Sequence, residues 1–143
     1  MPHVTRIKVR GYHLDLYGHV NNARYLEFLE EGRWSWVEER GDLAGFMKGG
    51  YGFSVVNINI NYRRPAFLGD ELEILTSLKG LGNRSGVVRQ VVRLAGTDTV
   101  VAEADVTFVV VSAETGRAVP LEGEVRALLA GLEADRSGDS AES

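Results

Sequence analysis

The 143-residue chain contains no cysteine, which excludes disulfides, thiolate nucleophiles and cysteine-ligated zinc or iron–sulfur centres. That absence agrees with a reducing compartment. No apolar run approaches the roughly 20 residues that cross a bilayer. The N-terminal MPHVTRIKVRGYHLD also lacks the basic region, apolar run and small-residue cleavage site of a secretory signal. The expectation is a soluble, cytoplasmic protein that neither spans nor needs a membrane. Positive charge is not in excess: 16 basic against 20 acidic side chains give a net charge of -4, so nothing marks a nucleic-acid ligand. No serine stands in a G-x-S-x-G elbow, and no glycine cluster fits a phosphate-binding or dinucleotide loop in its required context. Internal repeats and dividing linkers are missing too.

What remains is a hydrophobic fraction of 44%, enough for a chain of this size to bury one core. Residues 4–10 alternate well enough for a short strand. From Asn22 to about Arg40, Tyr25, Leu26, Phe28, Leu29, Trp36 and Val37 recur at helical spacing, with Asn21 or Asn22 able to cap the start and Gly41 the stop. Gly32 inside this helix costs about 1 kcal/mol relative to alanine, so it predicts close packing against another element. A glycine-rich loop over 42–52 leads to a strand in which Val56, Ile58, Ile60 and Tyr62 alternate with Asn57, Asn59, Asn61 and Arg63. Three more strands follow in ELEILTSLKG, SGVVRQVVRLAG and TVVAEADVTFVVVS, and their tight joins imply antiparallel neighbours. A short helix is expected after Pro120. The polar end of the chain reads as a disordered tail over 132–143. One α+β domain over 1–131 follows, an antiparallel sheet that must wrap the lone long helix to cover its apolar face.

The unusual stretch is HLDLYGHVNNARYLEF, residues 13–28, which joins an acid, a glycine, a histidine and two asparagines to the start of that helix. A helix N-terminus offers unpaired N–H groups and partial positive charge. With Asp15 beside the N–H of Asn22, a carbonyl held there would meet a nucleophile or general base and an oxyanion site together. Thioesters suit so sparse a site, because a thiolate leaving group, with a reference pKa of about 8.5, needs little protonation.

The run D-L-Y-G-H-V-N-N-A-R-Y, Asp15 to Tyr25, resembles the signature of the 4-hydroxybenzoyl-CoA thioesterase branch of the hotdog superfamily. N-Y-R-R-P-A-F-L-G-D-E-L, Asn61 to Leu72, is similar to that family's second block, and the element order agrees over about residues 4–112. The resemblance implies a hotdog fold, an antiparallel sheet of five or six strands wrapped around one long central helix. It further implies Asp15 as the catalytic carboxylate, the Asn22 N–H as oxyanion donor, hydrolysis of acyl-CoA or acyl-carrier-protein thioesters, and homotetramers built as dimers of dimers. No metal or cofactor is implied beyond coenzyme A itself.

Bland readings stand beside these. Asp15 can cap a turn, and His19 can orient the loop, bind substrate or act as acid or base. Tyr25 belongs to the core and can also wall an acyl pocket. Arg63 and Arg64, at a strand end, and Arg84 with Ser85, at a turn, are candidates for the coenzyme phosphates or pantetheine, or are ordinary charged and polar positions at strand ends and turns. Glu31 could approach a partner's site but reads better as a solvated face. A His13–Asp15–His19 metal triad has no fitting spacing. Competing functions are a hotdog enoyl-CoA hydratase and a non-catalytic acyl-CoA binding module. The four-residue separation of Asp15 and His19 argues against the first, and the presence of the acid against the second.

Overall fold

The computed structural model describes residues 2–132. Six strands and one long helix carry it: β1 (His3–Lys8), α1 (Asn22–Arg40), a short α2 (Leu43–Lys48), β2 (Tyr51–Tyr62), β3 (Glu71–Leu81), β4 (Gly86–Leu94), β5 (Val100–Ser112), β6 (Ala118–Val119) and a short α3 (Gly123–Leu128). All strand pairs are antiparallel and the sheet runs β1-β3-β4-β5-β2, with β6 added to the end of β5. The tight turns predicted between β3, β4 and β5 do join neighbours. The chain places β2 at the far edge from β1.

The period-2 pattern sends Leu72, Ile74, Thr76, Val88, Gln90, Val92, Ala104, Val106 and Phe108 to one face, and all are buried. Against that face lies α1, about 28 Å long, which buries Tyr25, Phe28, Leu29, Gly32 and Trp36. Gly32 is where the helix comes closest: a Cβ there would sit 2.8 Å from Ile74 Cγ2, 3.1 Å from Gln90 Nε2 and 3.1 Å from Thr76 Oγ1. The buried Gln90 amide donates to the Leu29 carbonyl (2.9 Å) and to Thr76 Oγ1 (3.0 Å), and accepts from Arg33 Nη1 (3.0 Å). Four polar groups are thereby satisfied in the middle of an apolar core, where each left unpaired would cost about 1–3 kcal/mol.

Three sequence expectations need correction. The stretch 42–52 is not all loop, because Asp42 accepts from the Gly45 N–H (2.9 Å) and starts the one-and-a-half-turn α2. In β2 the alternation slips: Val55 pairs with Phe108 and Asn57 with Thr107, leaving Val56 as a bulged, exposed residue while Val55, not Val56, shares the helix-facing side with Ile58, Ile60 and Tyr62. Leu132, assigned to the tail, is 2% exposed and packs in the core; the rest of that tail, 133–143, lies outside the described residues.

On the opposite face of the sheet, charges form a ladder across strands: Lys79 to Asp105 (2.8 Å), Asp105 and Glu103 to Arg89 (both 3.3 Å), and Glu103 to Arg63 (2.6 Å). No helix among the described residues is long and apolar enough to cross a membrane.

The contact at Gly32 yields a direct test. Gly32→Ala should lower unfolding stability by about 1 kcal/mol. The overpacking cost of roughly 1–3 kcal/mol falls on the stiff, buried Ile74 and outweighs the ~1 kcal/mol gain in helix propensity. Urea unfolding reads it, and a variant as stable as the parent would show that the helix has room to lift.

Candidate active site

The segment from His13 to Asn21 is a tight loop held on both sides. Leu14 and Val20 bridge each other, His19 bridges Phe67, the Val20 N–H donates to the Ala66 carbonyl (3.0 Å) and the Asn21 N–H to the His13 carbonyl (2.8 Å). Gly18 turns the loop with φ +78°, a conformation that side-chain-bearing residues rarely adopt. Within the turn, Asp15 Oδ1 accepts from the N–H groups of Tyr17 (2.9 Å) and His19 (3.2 Å). The turn-capping reading of Asp15 is therefore correct for one oxygen. Its Oδ2 accepts no hydrogen bond from the described residues.

Asn21 is the helix cap: its Oδ1 accepts from the Ala23 N–H (2.9 Å), and its carbonyl takes the Arg24 N–H (2.9 Å). The N–H of Asn22 has no acceptor among the described residues, so the first turn of α1 presents one open donor at its positive end. Tyr62, at the end of β2, donates its hydroxyl to the Asn22 carbonyl (3.1 Å) and sets its ring against Tyr25 (5.5 Å between centroids). Tyr25 is buried, and that burial pushes its phenol up to about 12, so it is a neutral wall.

These groups meet in one cavity of about 300 Å³ lined by Asp15, His19, Asn22, Tyr25, Tyr62 and Arg64, with Val20, Arg63 and Pro65 completing it. Of the residues singled out in the sequence, six are thus brought together. His19 lies beside Asp15, but its ring packs edge-on against Phe67 (5.1 Å) and makes no hydrogen bond to the carboxylate. Arg63 is engaged by Glu103, whose carboxyl its hydrogen bond holds below the usual range. The Arg64 side chain has no partner among the described residues. Arg84 and Ser85 do not join the cavity: they sit in the turn before β4, beside the Gly86–Phe108 pair, whereas Arg63 and Arg64 bond to Val101. Six residues of β5 separate the two levels, roughly 20 Å of strand. His13 is buried instead: its Nδ1 accepts from the Arg10 N–H (2.9 Å), its ring meets Phe28, and burial lowers its pKa.

A second cavity, of about 370 Å³, opens between the C-terminal half of α1, α2 and the start of β2, with Trp34, Val37, Phe46, Met47, Phe53 and Phe108 among its walls. Sequence reasoning placed Trp36 and Val37 on the apolar face of the helix. It missed α2 and hence Phe46 and Met47, which only the Asp42 cap signals. Leu26, one turn from Asn22 and one from Glu30, is 39% exposed. The half-buried Ile58 and Ile60 of β2 likewise stand between Phe53 of this cavity and Tyr62 of the first, so each element offers an apolar strip in the stretch that separates the two.

A carboxylate with one free oxygen and an open N–H at a helix N-terminus, on a sheet that packs against one long helix, fit a hotdog-fold thioester hydrolase, and the comparisons agree. The family model of the thioesterase-like superfamily matches residues 9–129, and the chain belongs to that superfamily. It is 53% identical over 122 residues to the long-chain acyl-CoA thioesterase FadM of Escherichia coli strain K12, covering 85% of this chain and 92% of the relative. The crystal structure of YbaW, a probable thioesterase from Escherichia coli, superposes with a TM-score of 0.86 at 51% identity, over 90% of this chain and 97% of that one. The 1,4-dihydroxy-2-naphthoyl-CoA thioesterase Slr0204 from Synechocystis, at 18% identity and TM-score 0.77 over 93% and 98% of the chains, shares the fold.

Because Asp15 Oδ1 holds two backbone N–H groups, its substitutions should separate. Asp15→Asn keeps an acceptor oxygen in place and should unfold close to the parent midpoint. Asp15→Ala strands both donors and should lose about 1–2 kcal/mol. Chemical denaturation of both variants checks this, and equal stability of all three proteins would mean the turn holds without the carboxylate.

Proposed function

We propose that this acyl-CoA thioesterase acts on long-chain acyl groups, with Asp15 as its catalytic carboxylate and the Asn22 N–H as its oxyanion donor. The observation that carries this reading is the pairing of the free Asp15 Oδ2 with the unpaired Asn22 N–H in one cavity. The substrate carbonyl oxygen accepts from that N–H, and the helix end stabilises the negative charge that grows there. Asp15 either removes a proton from a water, whose oxygen bonds to the carbonyl carbon, or attacks that carbon itself to give an anhydride that water then opens. In both routes the carbon–sulfur bond breaks and the thiolate departs with its electron pair, to be protonated in solution. No cofactor enters this chemistry. His19 serves the loop through its backbone and its ring contact with Phe67, and Tyr25 walls the acyl carbonyl.

The long-chain assignment is supported by the apolar strip and the 370 Å³ cavity beyond it, and by the relative named for long-chain substrates. For the coenzyme, Arg64 is the candidate phosphate contact within reach of the cavity, while Arg63 serves the charge ladder first. Coenzyme A is favoured over a carrier protein as the thiol because the same relative is named for it. A cytoplasmic setting agrees with the cysteine-free chain.

An oligomer is supported by β2. This 12-residue strand lies at the sheet edge with Val55 and Val56 exposed, and an open apolar edge seeks a partner strand. Paired edge to edge, two copies would roof the apolar strip, and two such dimers give the homotetramer. Arg84 and Ser85, far from the cavity of their own chain, would then lie toward the partner's. Light scattering should give a multiple of the 15.7 kDa chain mass; a monomer would refute the assembly.

The activity test is thiol release from a panel of acyl-CoA esters. Asp15→Asn should lower kcat by about 100-fold or more with little change in stability. Arg64→Ala should raise KM for acyl-CoA, and lose that effect in high salt and with acyl-pantetheine, because a phosphate contact far from the carbonyl binds ground and transition states alike. Parent-like turnover by Asp15→Asn would remove the carboxylate from the mechanism.

A further inference from the structure

The larger cavity is apolar except where Arg33 and Glu30 border it. Arg33 is half-buried there, and the only hydrogen bond its guanidinium makes among the described residues is to a neutral partner, Gln90 Oε1 (3.0 Å). No carboxylate of the described residues stands within ion-pair distance. Glu30 also borders the cavity, but its carboxylate accepts from Trp34 Nε1 (3.4 Å). Burial of this kind disfavours the charged form, and Arg33 is indeed lowered from its ordinary value by desolvation, with Glu30 opposing. A guanidinium has five N–H donors; one is taken by Gln90 Oε1, and the others have no protein acceptor among the described residues and stay open to water. Both Gln90 N–H bonds, to Leu29 and Thr76, are made without Arg33.

The position along the helix gives the cation a relation to the reacting carbonyl. Arg33 follows Asn22 by eleven residues, a rise of roughly 16 Å. Carbon–carbon bonds of about 1.5 Å at the tetrahedral angle advance an extended chain by roughly 1.3 Å per carbon. An acyl chain lying along the Leu26, Ile60 and Ile58 strip therefore reaches Arg33 after about a dozen carbons.

We propose that Arg33 is the specificity-determining residue for the distal end of the acyl chain, and that it selects chains carrying an oxygen acceptor there, a terminal hydroxyl or carboxylate. This rests on the long-chain reading above. An unsubstituted methyl end filling the cavity would displace water from these donors and leave them unmet. An oxygen at that depth completes them, and a carboxylate can do so with two parallel bonds. Sites built to hydrogen-bond a substrate oxygen discriminate strongly against analogues that lack it, because the buried polar group is then left unpaired.

The test compares kcat/KM for terminally unsubstituted, hydroxylated and carboxylated acyl-CoA esters of about ten to sixteen carbons, a range that brackets the expected reach. In the parent enzyme the oxygenated chains near a dozen carbons should be preferred by about tenfold or more, the worth of one hydrogen bond to a charged group. Arg33→Met should bring that ratio to about one, and Arg33→Lys should restore part of it. The ratio within each variant is the readout, so a general loss of folding or turnover does not mimic the effect. Preference for the hydroxylated ester alone identifies a single acceptor, and preference for the carboxylated ester alone an ion pair; both support the proposal. A parent ratio of one or less overturns it and leaves the long-chain reading standing, the result also expected if a second copy supplies a carboxylate to Arg33. A high ratio that persists in Arg33→Met moves the selectivity elsewhere and overturns the assignment. Turnover of oxygenated but not plain long chains supports the role of Arg33 and removes the broader long-chain reading, and turnover of neither removes both.

Discussion

The buried amide of Gln90 lies beneath the one position of α1 that has no side chain, and the placing of the helix depends on that contact. Any residue larger than glycine at position 32 would meet Ile74, Gln90 and Thr76 within ordinary contact distance, so the helix settles close against β3, with β1 as its other main neighbour, to one side of the sheet and not over its middle. Its N-terminus is then delivered to the loop at Asp15, pinned further by the Tyr62 hydroxyl on the Asn22 carbonyl. The same offset leaves the β2 side of the helix only partly covered, which is why Leu26, Ile58 and Ile60 remain accessible next to a fully packed core. The open apolar surface follows from where the helix is not.

The carboxylate proposed for the reaction centre, Asp15, shows a comparable economy. A loop residue able to attack a thioester must be held still while one oxygen stays free. The turn from Asp15 to His19 uses two backbone donors on Oδ1 to fix the side chain, and spends none on Oδ2. Structural and chemical readings of the aspartate are not rivals, since the first produces the geometry that the second needs.

Much of this was legible from the residues. The spacing of Tyr25, Phe28, Leu29 and Trp36 located the helix, the paired asparagines located its start, and the unexplained Gly32 announced the close contact. The acid, glycine and helix start in one short stretch were readable because a local segment builds that half of the site. What escaped was whatever depends on register or on residues distant in the chain. The bulge at Val56 is invisible to a period-2 count, since one extra residue restores the alternation on either side. Arg63 and Arg64 look alike in sequence, and only the neighbouring strand, which brings Glu103 under one of them, separates a structural ion pair from an open cation. Arg84 and Ser85 were candidates because a turn carrying them could touch the nucleotide or pantetheine, yet a strand's length separates them from the cavity of their own chain. The cation at Arg33 was hidden for the same reason: on a helical wheel it is an ordinary flank residue, and its burial is the work of α2, β2 and β5.

The two borders of the sheet are unlike. One is the 12-residue β2, with a bulge and exposed valines; the other is β1, six residues long, whose outward positions carry Arg6 and Lys8 beside Val4. A strand edge is a template for adding chains, and short, charged edges are poor templates. Joining through the long border is self-complementary only when both chains offer the same strand, a two-fold contact that uses up both good templates at once. What then faces outward at each end is β1, which gives no comparable foothold for a third sheet. In the proposed assembly the asymmetry would act as a stop rule: growth by strand addition would end at two, and a protein with a long open edge would be kept from polymerising into fibres.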